Sequence, residues 1–150
     1  MEKFLDEWSL RILRELYKNS KISYKKLSKK VGISVTSCYY KVRDLEKQGI
    51  IKAYTIEIDA KKLGFPVKTL IEVKTRTGVS TEVVKVLGKY PNIFKIYGIT
   101  GDKDVVIEAY FRNIEELDLF LKRIREICPD IKDTETHIVL NEHRNPKGWF

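Results

Sequence analysis

The stretch from Ser23 to Ile51 reads SYKKLSKKVGISVTSCYYKVRDLEKQGII, and its apolar residues recur at helical spacing. Leu27 and Val31 stand four residues apart, as residues on one face of a helix do. Gly32 follows at once, where the left-handed backbone that ends many helices favours glycine. Ser23 precedes the apolar pair as a candidate N-cap. The first part of the stretch therefore predicts a short helix that begins after a serine and ends at a glycine.

A second helix is predicted directly after this glycine. Cys38, Val42 and Leu45 recur at spacings of four and three residues, so they share one helix face and should point inward. Ser34 is the candidate N-cap of this helix, and Gly49 stands where it should end. Two helices joined by a turn of about 3–4 residues that contains glycine are typical of a helix-turn-helix. An ordinary helical hairpin with a polar solvent side has the same pattern.

The outward face of the second helix carries side chains that can donate hydrogen bonds to phosphates and base edges. The chain from Lys18 to Lys30 adds six lysines and no acidic residue. Such a run is either a solvated face or the electrostatic footprint of a nucleic-acid binder. We predict a DNA-binding surface formed by Ser34, Thr36, Ser37, Tyr39, Tyr40, Lys41 and Arg43, with phosphate contacts from Lys25, Lys26 and Lys29.

The overall charge agrees with a polyanionic partner. The chain of 150 residues has a formal net charge of +8 and an isoelectric point near 9.4. Residues 1–59 contain 13 Lys and Arg against 8 Asp and Glu, so the basic excess is concentrated where the two predicted helices lie. This balance favours nucleic acid first and an anionic membrane second.

Other function classes find little support in the sequence. No apolar run approaches the roughly 18 residues of a membrane span, and the N-terminus lacks the apolar core of a signal peptide, so we expect a cytoplasmic protein without a membrane partner. Cys38 and Cys128 form no CxxC pair and are predicted to be buried thiols. Strand alternation should spread the sequence cluster of Glu135, His137, Glu142 and His143 over both faces. We therefore predict no catalytic residue, no metal site and no cofactor.

The residues around the two central helices complete the predicted first domain. Residues 5–18 should form a helix that Asp6 caps, and its apolar stripe needs the inward faces of the next two helices as a partner. That stripe consists of Leu5, Trp8, Ile12, Leu13 and Leu16. Residues 50–59 alternate in places and predict one strand, either a wing or the start of a linker.

The second half of the chain changes pattern after Gly64 and Pro66. It predicts a βαββαβ order, whose sheet has helices on one face and leaves the other to a second copy of the chain. The predicted elements are strands 67–76, 93–99, 104–111 and 132–142 and helices 80–90 and 113–128, with Asn113 and Glu116 forming a capping box. We thus predict an α+β chain, with an N-terminal three-helix (winged) helix-turn-helix at 1–50, a linker at 51–66 and a C-terminal ferredoxin-like domain at 67–150.

A combination of local motifs in the two halves resembles a known family. The motifs are the opening Leu5–Asp6, GIS at Gly32–Ser34, the run Lys41–Glu46, Gly49–Ile51 with Tyr54, and the turn Thr100–Asp104 before a strand. Together they resemble the leucine-responsive regulatory protein/AsnC family, the feast/famine regulators. The resemblance implies a transcriptional regulator that binds double-stranded DNA, forms dimers that assemble into octamers or other higher oligomers, and binds an amino acid or similar small effector.

The same resemblance suggests where an effector would bind. The implied residues are Thr100, Gly101, Asp102, Lys103 and Asp104, with Thr134, Thr136 and His137 on the last strand. The chain departs from the family pattern at Ser9, Asp44 and Lys103, where a second Asp, a basic residue and an aromatic residue are common. A different class of function also fits the charge pattern, namely a ligand-sensing module whose basic helical domain binds an acidic protein partner.

Overall fold

The computed structural model describes residues 5–76, 78 and 81–143. The chain divides into two compact units, one built on residues up to Glu57 and the other on Ile58–Glu142. The division falls inside the segment 51–66, whose assignment as a linker remains a prediction. No helix within the described part of the chain is both long and apolar enough to cross a membrane.

Three helices form the first unit, and each begins at the side chain predicted to cap it. Asp6, Ser23 and Ser34 each accept a hydrogen bond from the backbone amide three residues further on. Gly32 ends the second helix with a φ of 84°, in the left-handed region. The helices are α1 (Glu7–Lys18), α2 (Tyr24–Val31) and α3 (Val35–Lys47).

The core of the first unit lies between these helices and confirms the inward positions of α2 and α3. Its buried apolar residues are Ile12, Leu27, Val31, Cys38, Val42 and Leu45. Trp8 departs from the predicted stripe, because it remains 38% exposed while Ser9 is buried. The indole covers the turn after α2 from outside: a Cβ added at Gly32 would lie 3.9 Å from Cζ3 of Trp8.

The strand predicted for residues 50–59 is wrong. Residues 52–59 form neither helix nor strand in the structure, and Ile56 is 70% exposed. An alternating sequence becomes a strand only where a neighbouring strand completes its hydrogen bonds and covers its apolar side chains. The sheet pairings of the described residues include none with this segment.

The second unit has the predicted ferredoxin-like arrangement. Its four strands pair antiparallel in the order β2-β3-β1-β4, so the first and third strands are central. The last strand ends at Ile138, earlier than predicted. The elements are β1 (Val67–Thr75), α4 (Thr81–Leu87), β2 (Ile93–Gly98), β3 (Val105–Phe111), α5 (Ile114–Ile127) and β4 (Ile131–Ile138).

The helices cover one face of this sheet, which holds the core of the unit. Alternate residues of β3 from Val105 to Phe111 are fully buried there, together with Phe120 and Ile124 of α5. Asn113 caps α5 by accepting from the amide of Glu116, whose carboxylate accepts in turn from the amide of Arg112. In the usual capping box the carboxylate would accept from the amide of the N-cap residue, Asn113. Here it accepts from the amide of the preceding residue, Arg112.

The opposite face, which we call the open face, carries charged and aromatic side chains. Glu108 of β3 is only 8% exposed there, and its Oε1 lies 2.9 Å from the ammonium of Lys68 on β1. Lys68 also lies 2.8 Å from Oε2 of Glu142. The hydroxyls of Tyr97 and Tyr110 donate to Glu108. This charge is buried because a complete set of donors surrounds it.

The two cysteines are free and buried, as predicted. Burial raises the pKa of both thiols, Cys38 and Cys128, because a thiolate loses its hydration inside the protein. Each packs in the core of its own unit as a small apolar side chain.

Candidate functional site

The N-terminal half of α3 presents the most accessible polar surface of the predicted DNA-binding set. Tyr40 is 66% exposed, and Thr36 and Ser37 are exposed beside it. Ser34 is occupied by its capping role, since its Oγ accepts from the amide of Ser37 at 3.0 Å and donates to Oγ of Ser37 at 2.8 Å. Hydroxyl groups are thus displayed at the positive end of the helix, where a phosphate or a base edge can accept from them.

Three tyrosine rings connect α2 to α3. The ring of Tyr39 lies edge-on to Tyr24 at 5.5 Å between centroids and to Tyr40 at 5.6 Å. Such edge-to-face pairs add to the stability of aromatic contacts. Tyr39 is therefore held in place by both neighbours, and it positions the more exposed Tyr40.

Lys41 does not extend freely into solvent. Its ammonium lies 2.7 Å from Oδ2 of Asp6, the residue that caps α1, and its side chain is 29% exposed. The hydrogen bonds from Lys41 and from the amide of Ser9 hold the pKa of Asp6 below its ordinary value. Lys41 thus ties the recognition helix to the start of α1, and its predicted DNA contact requires exchange of this partner.

Arg43 belongs to a second polar cluster at the other end of α3. Its guanidinium lies 3.2 Å from Oε2 of Glu46, and the hydroxyl of Tyr54 donates to Oε1 of the same carboxylate at 2.9 Å. Burial and the carboxylate of Glu46 raise the pKa of Tyr54 to about 12. Tyr54, which follows α3 in the segment without regular structure, is anchored to the helix through this contact.

The lysines predicted to contact phosphates are exposed on α2. Lys30, which was not in the predicted set, pairs with Glu15 at 2.6 Å. No ion pair within the described ranges involves Lys25, Lys26 or Lys29. These three ammonium groups form the free basic surface beside α3.

The turn predicted to bind an effector is latched to the sheet through Asp104. The Oδ2 atom of Asp104 accepts from the amide of Thr75 at 2.8 Å, and Lys74 lies 3.6 Å from Oδ1. The hydroxyl of Thr75 lies 3.2 Å from Oδ2 and shares its proton with the carbonyl of Gly78 at 2.7 Å. These donors, the amide of Thr75 first, hold the pKa of the carboxyl below its ordinary value. Lys103 pairs with Asp133 at 2.7 Å. The exposed tip is left to Thr100, Gly101 and Asp102.

The remaining predicted effector residues lie on two different faces of β4. Thr134 and Thr136 pair with the core residues Val73 and Ile71, so they share the helix-covered face. His137 lies on the open face with Glu135, two residues away. The expected spread of Glu135, His137, Glu142 and His143 over both faces of the strand is wrong. Residues two apart on a strand share a face, and Glu142 and His143 lie beyond the end of β4.

Sequence reasoning missed the partners of these side chains. Asp6 is 35 residues from Lys41, and Thr75 is 29 residues from Asp104. Neither pair has a spacing that predicts contact, since local rules cover neighbours three or four residues apart on a helix, or two apart on a strand.

Two family models match the chain, one in each half. Residues 5–52 match a family model described as winged helix-turn-helix DNA-binding, and residues 68–148 match the Lrp/AsnC ligand binding domain. The HTH-type transcriptional regulator FL11 of Pyrococcus horikoshii is 36% identical over 93% of this chain and 92% of its own length.

Solved structures share the whole architecture. The structure of LrpC from Bacillus subtilis, which is 32% identical, covers 95% of this chain and 99% of its own with a TM-score of 0.84. A complex of the regulator NMB0573 from Neisseria meningitidis with L-Met has the same fold at 21% identity, covering 94% of this chain and 93% of its own with a TM-score of 0.84. The chain belongs to the Lrp/AsnC family of helix-turn-helix transcriptional regulators.

Proposed function

We propose that this regulator binds specific sequences of double-stranded DNA as a homo-oligomer and that an amino acid or a similar small effector modulates the binding. The observation that carries the proposal is the surface formed by exposed Tyr40 and Thr36 of α3 beside the unpaired Lys25, Lys26 and Lys29 of α2. Hydroxyls on a helix can read base edges in the major groove, while ammonium groups bind phosphates irrespective of sequence.

Lys41 and Arg43 can contact DNA only if they exchange their present partners. Both are paired with carboxylates, with Asp6 and Glu46 respectively. A phosphate that approaches either cation must replace that carboxylate, so the net gain per contact is smaller than for the free lysines of α2. Affinity should depend mainly on the free lysines, and Lys41 and Arg43 should add to it once the helix is docked.

The open face of the sheet supports self-association. Phe94 and Tyr97 of β2 and Leu70 of β1 are exposed apolar side chains on the face opposite to α4 and α5. A two-fold partner would bury them, and a self-complementary surface is the usual basis of such dimers. A dimer would place two recognition helices roughly 34 Å apart, one turn of the duplex, and would require a palindromic site. Octamers or other higher oligomers would follow from further contacts between dimers.

The effector proposal depends on the tip of the turn between β2 and β3. No hydrogen bond or ion pair of the described residues involves the side chain of Asp102, whereas Asp104 is latched to Thr75. A free carboxylate can bind an α-amino group, and the backbone amides near Gly101 can bind a carboxylate. Asp102 should therefore contact the effector, and Asp104 should hold the turn in position.

Selection of random duplex DNA on the purified protein, read by sequencing, tests the proposal. We expect an enriched palindrome with the wild-type chain, loss of enrichment with Thr36→Ala/Tyr40→Ala, and normal enrichment with Lys62→Ala, an exposed lysine of the second unit. Repeating the selection with the twenty amino acids should change the enrichment. If no sequence is enriched under either condition, the DNA proposal is wrong, and the lysine surface would instead serve an acidic protein partner.

A further inference from the structure

Glu72, Glu135 and His137 converge on the open face of the sheet, near its β4 edge. Their candidate ligand atoms all lie within 4.8 Å of one another. Nε2 of His137 is 4.0 Å from Oε1 of Glu72 and 3.7 Å from Oε1 of Glu135. None of the contacts that hold the fold or the DNA-binding surface uses this cluster.

Strand register explains why the three side chains meet. Glu135 and His137 are two residues apart on β4, so they project from the same face. Glu72 of β1 is the direct cross-strand partner of Glu135. Two like charges directly opposite each other destabilise a sheet unless another charge compensates them. The strand pairing therefore places the two carboxylates of Glu72 and Glu135 next to each other on the sheet.

Other carboxylates of the second unit lie within ion-pair distance of a lysine, whereas among the described residues Glu72 and Glu135 do not. Lys68 pairs with both Glu108 and Glu142, and Lys103 pairs with Asp133. In the described part of the chain, the basic group within 4.0 Å of Glu72 and Glu135 is the imidazole of His137, which carries a charge only when it is protonated. Lys103 acts on Glu135 only through its charge, without an ion-pair contact. The cluster thus combines two carboxylates with an imidazole nitrogen, a donor set that suits a divalent transition metal ion.

We propose that Glu72, Glu135 and His137 bind one divalent first-row transition metal ion per chain. Zinc bonds to imidazole nitrogen and carboxylate oxygen at about 2.0–2.2 Å, so tetrahedral ligand atoms stand roughly 3.4 Å apart. The observed 3.7 and 4.0 Å, and the limit of 4.8 Å on all three separations, are longer than this, so the side chains must rotate towards one another to bind the ion. The site is reachable in the single chain because the side chains of Glu72, Glu135 and His137 are all partly exposed. The proposal departs from the prediction of no metal site, which considered the residues near His137 in sequence and not Glu72 of β1.

The chemistry of the ligands selects the class of ion. A mixed nitrogen and oxygen set suits zinc or cobalt, whereas Mg²⁺ and Ca²⁺ take oxygen ligands. The ion would neutralise the charge that faces across β1 and β4. Binding should therefore raise the resistance of the second unit to unfolding, since an ion that binds only the folded chain stabilises it.

Titration of the full-length, untagged, chelator-treated protein with Zn²⁺ against a chromogenic chelator tests the site. We expect one Zn²⁺ per wild-type chain, no displacement by excess Mg²⁺, and a rise in the unfolding temperature. His137→Ala and Glu72→Gln should each weaken Zn²⁺ binding at least about tenfold. Loss of a group that merely supports a metal ligand costs about that much, and loss of a ligand itself should cost no less. His143→Gln, which changes the other histidine, should bind as the wild type does.

Several outcomes would overturn the proposal. Absence of Zn²⁺ binding by the wild-type chain would do so, as would equal binding by His137→Ala or an equal loss with His143→Gln. Displacement by Mg²⁺ would show an unspecific carboxylate site. Circular dichroism of each variant without metal separates a lost ligand from a lost fold. Replacement of Glu72 by glutamine keeps the shape of the side chain, so this variant is expected to fold.

Discussion

Lys41 of the recognition helix pairs with Asp6, the N-cap of α1, at 2.7 Å across 35 residues of sequence. The carboxylate of Asp6 therefore has two tasks, because it also accepts the amide of Ser9 at 2.9 Å. The start of α1 and the middle of α3 are fastened by one acidic group. Stability of the first unit and orientation of its recognition helix are linked through this contact.

Replacing Asp6 by alanine should destabilise the first unit by about 1 kcal/mol, the usual cost of a lost N-cap. Lys41→Met should cost less, because it leaves the cap in place. The pKa of Asp6 is below its ordinary value of 3.8, so its contribution is complete above that pH and disappears as the pH falls through the lowered value. Urea unfolding of wild type and Asp6→Asn across this acid range should show a smaller pH dependence in the variant.

Gly32→Ala should destabilise the chain by about 1–2 kcal/mol, the cost of a left-handed backbone for a residue with a Cβ. The φ of Gly32 is 84°, and the turn it forms leads directly into α3. Gly32→Asn is the matched control, since asparagine tolerates this conformation. The free energy of unfolding should rank wild type, then asparagine, then alanine. Equal stability of all three chains would show that the turn relaxes.

Breaking the ion pair between Lys68 and Glu108 on the open face should lower the stability of the second unit. Lys68→Met leaves Glu108 buried without its cation, and we expect a loss of about 3 kcal/mol, as for other buried pairs that lose one partner. Burial opposes the ionised form of Glu108, but Lys68 outweighs it, so the pKa of Glu108 is below its ordinary value. The double variant Lys68→Met/Glu108→Met should recover most of the loss. Denaturant unfolding measures both, and a harmless single variant would contradict the prediction.

Tyr54 should be responsible for part of the alkaline unfolding. Its pKa is raised from 10.0 to about 12, so the folded state holds the proton more tightly than the unfolded state does. That contribution is complete below pH 10 and is lost as the pH rises towards 12. Tyr54→Phe removes the titrating group, so its free energy of unfolding should fall less over this interval. Tyr40→Phe, which keeps an exposed ring, serves as the control.

The two aspartates of the effector turn should behave differently. Asp104→Ala removes the acceptor of the Thr75 amide, whereas the Thr75 hydroxyl keeps its bond to the carbonyl of Gly78. We expect a lower unfolding temperature, because a buried amide is left unpaired. Asp102→Asn should leave stability unchanged and abolish the response of DNA binding to amino acids. Thermal unfolding and the selection experiment measure the two effects. A response that survives Asp102→Asn but not a conservative change of Asp104 would reverse the roles.

Much of the fold could be read from local pattern. The three caps Asp6, Ser23 and Ser34 act within three residues of their partners, and the helix faces follow from periodicity. The order βαββαβ followed from alternating patterns and turn residues in the same way. These signals are short-ranged, and the forces behind them act between neighbours along the chain.

The sequence by itself therefore determined the helices with their caps, the order of the strands in the second unit and the class of fold. Only the tertiary structure decided which distant groups meet: Lys41 with Asp6, Asp104 with Thr75, and Glu72 with Glu135 and His137. It also decided that residues 52–59 form no strand, because alternation cannot supply the neighbouring strand that they lack. Contacts between distant residues depend on register and packing, which are properties of the assembled chain rather than of any one segment.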